Sequence, residues 1–255
     1  MRLNSLIICL VLILSLSGAA SAQIVLPPAD TGTPGTRITY VSYTGNIFGP
    51  YGPTSGSFTN LAVGKISTWT VTYYYPYPNP FYINFFYDGQ GAIEFDLGAT
   101  AFPTTMTSKN FTARLNGLNV STSSQYNNSG PINVDLFDMG DGTEDGNVYR
   151  NDFNSTRCNR IERRTHMFSP MGTHADFSNI DVTCAVRNDL FGAGAGNYSG
   201  FILKSPDAAY SEWIVYDPAT PTLMINPGFT GTGPDCPDCG GSDDGGGCFI
   251  ANATR

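Results

Sequence analysis

Apolar and polar residues alternate with a period of two through most of this chain. Trp69, Val71, Tyr73 and Tyr75 fall on one side, with Thr68, Thr70, Thr72 and Tyr74 on the other. Ile93, Phe95 and Leu97 alternate with Glu94 and Asp96, and Phe111, Ala113 and Leu115 with Thr112 and Arg114. Ile132, Val134 and Leu136 alternate with Asn133 and Asp135, and the theme continues in Phe201 and Leu203, Trp213 and Val215, and Leu223 and Ile225. Runs of about 5 to 8 such residues, separated by Gly, Pro, Asn and Asp, read as half-buried strands. Arg37–Tyr43 and Ser57–Val63 are further candidates, and Phe81–Tyr87 is a fuller apolar run. About ten strands are enough for two packed sheets. One helix is expected: Asp181-Val182-Thr183 supplies capping groups, Cys184–Leu190 continues and Gly192 stops it. The fold expected is therefore an all-β antiparallel sandwich with one short helix.

The two ends differ from this body. Arg2 precedes an apolar run from Leu6 to Leu16, and Ala20-Ser21-Ala22 is a small-residue cleavage site. Residues 1–22 thus read as a secretory signal, too short in its apolar part for a membrane-spanning helix. The exported chain is expected to start at Gln23, and no later stretch reads as a span. Residues 23–36, rich in Pro, Thr and Gly, read as a loose lead to a sandwich over 37–228. Residues 229–247 are Gly, Asp, Pro and Ser with almost no apolar side chain, a disordered linker to a short tail at 248–255.

Loss of Arg2 with the signal leaves 12 basic and 21 acidic residues, a net charge of −9. Such a chain is repelled by phosphate, which argues against nucleic acid as a partner. In an oxidising compartment Cys158 and Cys184 form the natural disulfide of the folded part, with Cys236 and Cys239 available for pairing in the tail. Cys248 is left as an odd thiol.

Gly89-Gln90-Gly91-Ala92-Ile93-Glu94-Phe95-Asp96-Leu97 resembles a strand of the secreted bacterial and archaeal DNRLRE-type modules, related to disaggregatase and to PEP-CTERM-like surface proteins. The order of later elements is similar too: Lys109–Leu115, the acidic loop ending Ile132–Asp145, Asp181–Val186, Gly200–Leu203 and Pro221–Ile225. The resemblance implies a jelly-roll-like sandwich on a secreted or cell-surface protein, and it does not imply an enzyme. Gly245-Gly246-Gly247-Cys248-Phe249-Ile250-Ala251 resembles the opening of the CFI box found at the C-terminus of exported bacterial proteins, here cut short at Arg255.

Three constellations bear on function. Asp138, Asp141, Glu144 and Asp145 lie in a Gly-rich loop straight after a strand, a donor set and backbone path suited to a hard cation such as calcium, or to a solvated acidic turn. Tyr73, Tyr75, Tyr77 and Tyr82 cluster around three prolines and offer either a stacking platform for sugar rings or ordinary core and edge cover. His166 and His174 with Asp176 are a thin set for zinc, which wants three or four closely spaced ligands. Arg157, Arg160, Arg163 and Arg164 form one basic run, expected to pair with nearby acids. The function expected is a non-catalytic exported sandwich acting in adhesion, surface structure or glycan binding, with glycans or other surface proteins as partners. The competing expectation is a secreted hydrolase acting on polysaccharide, for which Glu94 and Glu212 on their strands are available carboxylates.

Overall fold

The computed structural model describes residues 23–43, 46–48, 54–58, 61–73, 81–125, 130–140, 143–148, 156, 160–169, 171–192, 195–209, 212–228 and 236. Along 33–43, 46–48, 54–58, 66–73 and 81–87 it describes backbone and strand pairing. In chain order the elements are β1 (Ile24–Leu26), β2 (Asp30–Tyr43), β3 (Asn46–Phe48), β4 (Thr54–Phe58), β5 (Leu61–Tyr73), β6 (Phe81–Gly89), β7 (Gly91–Asp96) and β8 (Phe111–Asn116). They continue as β9 (Val120–Ser124), β10 (Ile132–Asp138), β11 (Glu162–His166), β12 (Ile180–Asp181), α1 (Thr183–Phe191), β13 (Tyr198–Lys204), β14 (Trp213–Tyr216) and β15 (Thr222–Pro227).

The alternation does what half-buried strands require. In β8, Phe111, Ala113 and Leu115 are buried while the residues between them are half-buried, and β15 follows the same rule with Leu223 and Ile225 inside. β15 and β8 pair antiparallel, flanked by β1 and β12, to make the smaller sheet. The larger sheet runs β11-β10-β13-β7-β2-β6-β5-β14-β9, with β3 and β4 attached to β2. One apolar core fills the space between the sheets. Leu26, Phe111, Leu115, Leu223 and Ile225 come from one side, and Leu61, Val63, Ile93, Phe95, Val134, Leu136, Phe201, Leu203 and Ile214 from the other. Phe95 and Phe201 meet edge to face at 6.1 Å between ring centroids, a favoured aromatic geometry. Tyr216 is also inside, and its hydroxyl donates to the Ala175 carbonyl at 2.9 Å, which satisfies this buried phenol.

The expected helix forms. The Asp181 carboxylate accepts the Thr183 N–H at 3.0 Å, and Gly192 donates back to the Asn188 carbonyl at 2.8 Å. The Thr183 hydroxyl oxygen accepts the Ala113 N–H at 2.9 Å, which ties the start of α1 to β8.

Four expectations change. The N-terminal lead is not loose: Ile24–Leu26 pairs with Ile225–Leu223 as an edge strand, and β2 begins at Asp30. In β14 the buried pair is Ile214 and Tyr216, not Trp213 and Val215. Ile214 sits opposite Val63 and Tyr216 opposite Leu61, and directly paired residues share a face, so the neighbouring strand sets the parity. The disulfide joins Cys184 to Cys236, with a Cα–Cα separation of 5.3 Å, and not Cys184 to Cys158. Cys184 lies on α1, and Cys236 reaches it from beyond β15, so the Gly-rich segment is anchored at that residue. Cys158, Cys239, Cys248 and the segments read as a signal and as a CFI box lie outside the described residues. Glu94 and Glu212, the carboxylates available to a hydrolase by sequence, are both buried. Glu212 is a structural tie: its carboxylate accepts Ala209 N–H at 2.7 Å and Gln125 Nε2 at 3.3 Å, while its carbonyl accepts Lys65 N–H at 2.8 Å.

A row of glycines divides the larger sheet. Gly56, Gly35, Gly89 and Gly64 stand opposite one another across β4, β2, β6 and β5. Gly64 has φ +111°, and a Cβ there would lie 2.4 Å from the Glu212 carbonyl oxygen. A line without Cβ atoms lets strands bend and part. On one side of it β5 pairs with β14 and β7 pairs with β13, inside the sandwich. On the other side β2, β6 and β5 run on together as an extension, with β3 and β4 along its β2 edge.

Candidate functional site

The acidic loop folds back over the outer face of β7 and β13. Met139 and Val148 pack there against Ala92 and Ile202 in a small second apolar cluster. Gly200 makes the approach possible, because a Cβ there would meet Met139 Sδ at 2.8 Å and Glu144 Cγ at 3.1 Å. The loop is pinned by side chains of the strands beneath it. Asp30 accepts the Val148 N–H at 2.8 Å, and Glu94 Oε2 accepts the Gly146 N–H at 2.5 Å. Gly146 takes φ +85°, a conformation that favours glycine.

Under this cover Asp138 at the end of β10, Glu144 in the loop and Asp189 on α1 converge. Each offers an oxygen lying within 4.8 Å of the other two, and Asp138 and Asp189 are buried. Glu144 Oε1 accepts the Gly200 N–H at 3.0 Å. Burial pushes the Glu144 pKa up to about 10, helped by the charges of Asp189, Asp138 and Glu94 and opposed by the Gly200 hydrogen bond. A retained proton or a bound hard cation would each relieve the repulsion among these carboxylates. Oxygens that share one calcium at about 2.3–2.6 Å can be no more than about 5 Å apart, so the three carboxylates fit as part of a coordination set.

The structure thus brings together two of the four loop residues expected for calcium. Asp145 is exposed and its carboxylate accepts the Asn147 N–H in a local turn, outside the cluster, and Asp141 lies outside the described residues. Asp189 and Glu94 were not foreseen. Gly91 and Ala92 beside Glu94 were the available signal, since small residues on a strand's outer face permit something to lie over it.

The tyrosines divide differently from expectation. Tyr43, Phe81 and Tyr73 share one cross-strand row of the extension. Val41, Ile83 and Val71 form the next row on that face, and Thr39, Phe85 and Trp69 the one after. Tyr82 belongs to the row of Ser42 and Thr72, on the opposite face, where the neighbouring row is Tyr40, Asn84 and Thr70. Tyr73 and Tyr82 therefore stand at register positions of opposite parity, while Trp69, Phe81 and Phe85 share the parity of Tyr73. Tyr75 and Tyr77 lie outside the described residues.

His166 and His174 come within 5.4 Å between ring centroids. His166 is buried, with Nδ1 accepting the Ala175 N–H at 3.4 Å and its ring edge to face with Phe168. Asp176 accepts the Val120 N–H at 2.6 Å, and among the described residues no third ligand completes a zinc set around the pair. Three arginines of the basic run pair with acids as expected: Arg163 makes a two-pronged contact with Asp135 at 2.6 and 2.7 Å, Arg160 stands 3.8 Å from the same carboxylate, and Arg164 meets Glu162 at 3.5 Å, while Arg157 lies outside the described residues.

Comparison with protein-family models and with curated proteins finds no match.

Proposed function

We propose that the chain is an exported β-sandwich of the cell surface or extracellular space that works by binding, in adhesion, surface structure or glycan capture, and not by turnover. The observation that carries this reading is the register of the extension. It sets Tyr43, Phe81, Tyr73, Val41, Ile83, Val71, Thr39, Phe85 and Trp69 in three successive rows of one parity, eight of the nine apolar or aromatic, against the more polar rows Ser42-Tyr82-Thr72, Tyr40-Asn84-Thr70 and Ile38-Phe86-Ser67 of the other. Flat aromatic residues in successive rows of one sheet suit sugar rings, which stack on π-faces, or the apolar patch of another surface protein. The carboxylates favour this over hydrolysis. Glu94 and Asp138 lie buried beneath the loop and Glu212 is engaged by backbone and Gln125, whereas a general acid or base must reach a substrate atom. A glycan array decides between the readings. Binding without turnover, lost in Trp69→Ala/Phe85→Ala and kept in Thr70→Ala/Thr72→Ala, is expected. Release of sugar from any polysaccharide would sink the proposal.

A calcium-held loop is the second part of the proposal, and the convergence of Asp138, Glu144 and Asp189 from three separate elements favours it. The ion would draw its charged ligands from these three and fasten the loop to β10 and α1. Thermal melting with calcium and with EDTA tests it, and an unchanged transition temperature removes it.

A further inference from the structure

The extension carries a second feature, and it lies in the backbone. β14 stops opposite Gly64, and the Glu212 carbonyl accepts the N–H of Lys65. From Ile66 to Tyr73 the side of β5 away from β6 then has no strand beside it among the described residues. That edge reads Ile66-Ser67-Thr68-Trp69-Thr70-Val71-Thr72-Tyr73: eight residues, none charged and none proline, and nearly all with high strand preference. Proteins guard a solitary edge with Lys, with Pro, with a β-bulge, with a very short strand or with a covering loop, because unpaired N–H and C=O groups otherwise recruit another strand. The single register shift, between Ser67 and Trp69, leaves Trp69–Tyr73 regular.

We propose that this edge pairs with the same edge of a second copy, antiparallel, to give a closed dimer in which the two extensions form one continuous sheet. A second copy is favoured for two reasons. The opposite edge of the extension is broken into β3 and β4, with residues 49–53 between them, so it offers no equally long continuous partner. An uncharged run also raises no like-charge barrier against itself, although the chain as a whole is strongly acidic. Antiparallel pairing of a strand with its own copy is isologous and closes at two. The two-fold axis stands normal to the sheet, so like faces join. The aromatic rows of Trp69, Val71 and Tyr73 then continue into their copies, doubling the face assigned to binding. The dimer itself uses the backbone edge and does not depend on that assignment.

The test is sedimentation of the full chain across a hundredfold range of concentration, with hydrogen exchange on the same samples. The expected result is a mass twice that of one chain at the upper end, with amides of 66–73 protected there and exchanging at least tenfold faster on dilution. Thr70→Lys/Thr72→Lys places two cations at the edge, on the face opposite Trp69, and is expected to sediment as a monomer with unchanged circular dichroism and melting. A monomeric wild type, a dimer that survives both lysines, or an open filament would each overturn the proposal. Should the double variant misfold, concentration-independent exchange of 66–73 in the wild type would do so by itself. Loss of glycan binding with the dimer intact would count against the ligand reading alone.

Discussion

Replacing Glu144 by Gln isolates the electrostatics of the acidic cluster. Burial, and then the charges of Asp189, Asp138 and Glu94, hold the folded Glu144 pKa at about 10, against an ordinary value of 4.5. Between those two values the folded state, free of metal, keeps a proton that the unfolded state has lost. Stability must therefore fall as pH rises across that window. A rise of two pH units within that window therefore costs roughly 3 kcal/mol. For a domain of this size that lowers the melting temperature by roughly 5 to 10 °C. The interval is chosen to avoid His166, whose pKa lies below its ordinary 6.5 through burial and the nearby His174, and whose trend has the opposite sign. Glutamine keeps an oxygen for the Gly200 N–H and removes the titration. With EDTA present, calorimetry should record a fall in wild-type melting temperature exceeding the variant's by roughly 5 to 10 °C over the two pH units. Calcium should flatten the wild-type curve and leave the variant nearly unmoved. Parallel curves for the two proteins in EDTA would refute the account of the cluster as desolvated and mutually repelling.

Gly64→Ala should cost about 3 kcal/mol or more, because it combines a positive φ with a Cβ 2.4 Å from the Glu212 carbonyl oxygen. Gly130→Ala has nearly the same φ, +110°, and nothing within 4 Å, so a urea melt should find about 1 kcal/mol there, and equal losses would discredit the clash. Cys184→Ser opens a cross-link between residues 52 apart and should cost about 4 kcal/mol on the loop-entropy model, read as a lower urea midpoint that matches reduced wild type. Arg163→Gln removes the two-pronged partner of the buried Asp135; because Arg163 is itself 41% exposed, the expected loss is about 1–3 kcal/mol, and a stability unchanged within error would mean that Arg160 takes over. On the acid side, the unfolded chain protonates His166 more readily than the folded one does. Stability should therefore drop as pH falls below about 6.5, and His166→Gln should flatten that limb in denaturant titrations.

How much of this was legible in the sequence depends on whether one partner or several decided a residue's fate. β8, β10 and β15 could be read directly, because each has one face on the core and the period of two records it. β7 could not. Ala92 and Glu94 look outward by parity, yet a loop some 45 residues later lies over them, and only Gly200 on a third element lets it settle. The four-residue β14 was misread because Trp213, Ile214, Val215 and Tyr216 are all apolar or aromatic, so its own pattern holds no parity, and Val63 and Leu61 on the paired strand supply it. The acidic site divides in the same way. Asp138 and Glu144 were visible as neighbours, while Asp189 arrives on a helix and Glu94 on a strand. The cysteines follow suit, since sequence proximity favoured Cys158 for a partner that α1 presents to Cys236. The glycines carry the point furthest. Gly35, Gly56, Gly64 and Gly89 lie in four different strands and, taken singly, read as weak points in each. Pairing lines them into one row, and their lack of side chains is then a property of the sheet: it marks where β5 leaves the sandwich, and so where its edge has no strand beside it among the described residues. The extension, its faces and the proposed dimer all follow from that register, which no single strand contains.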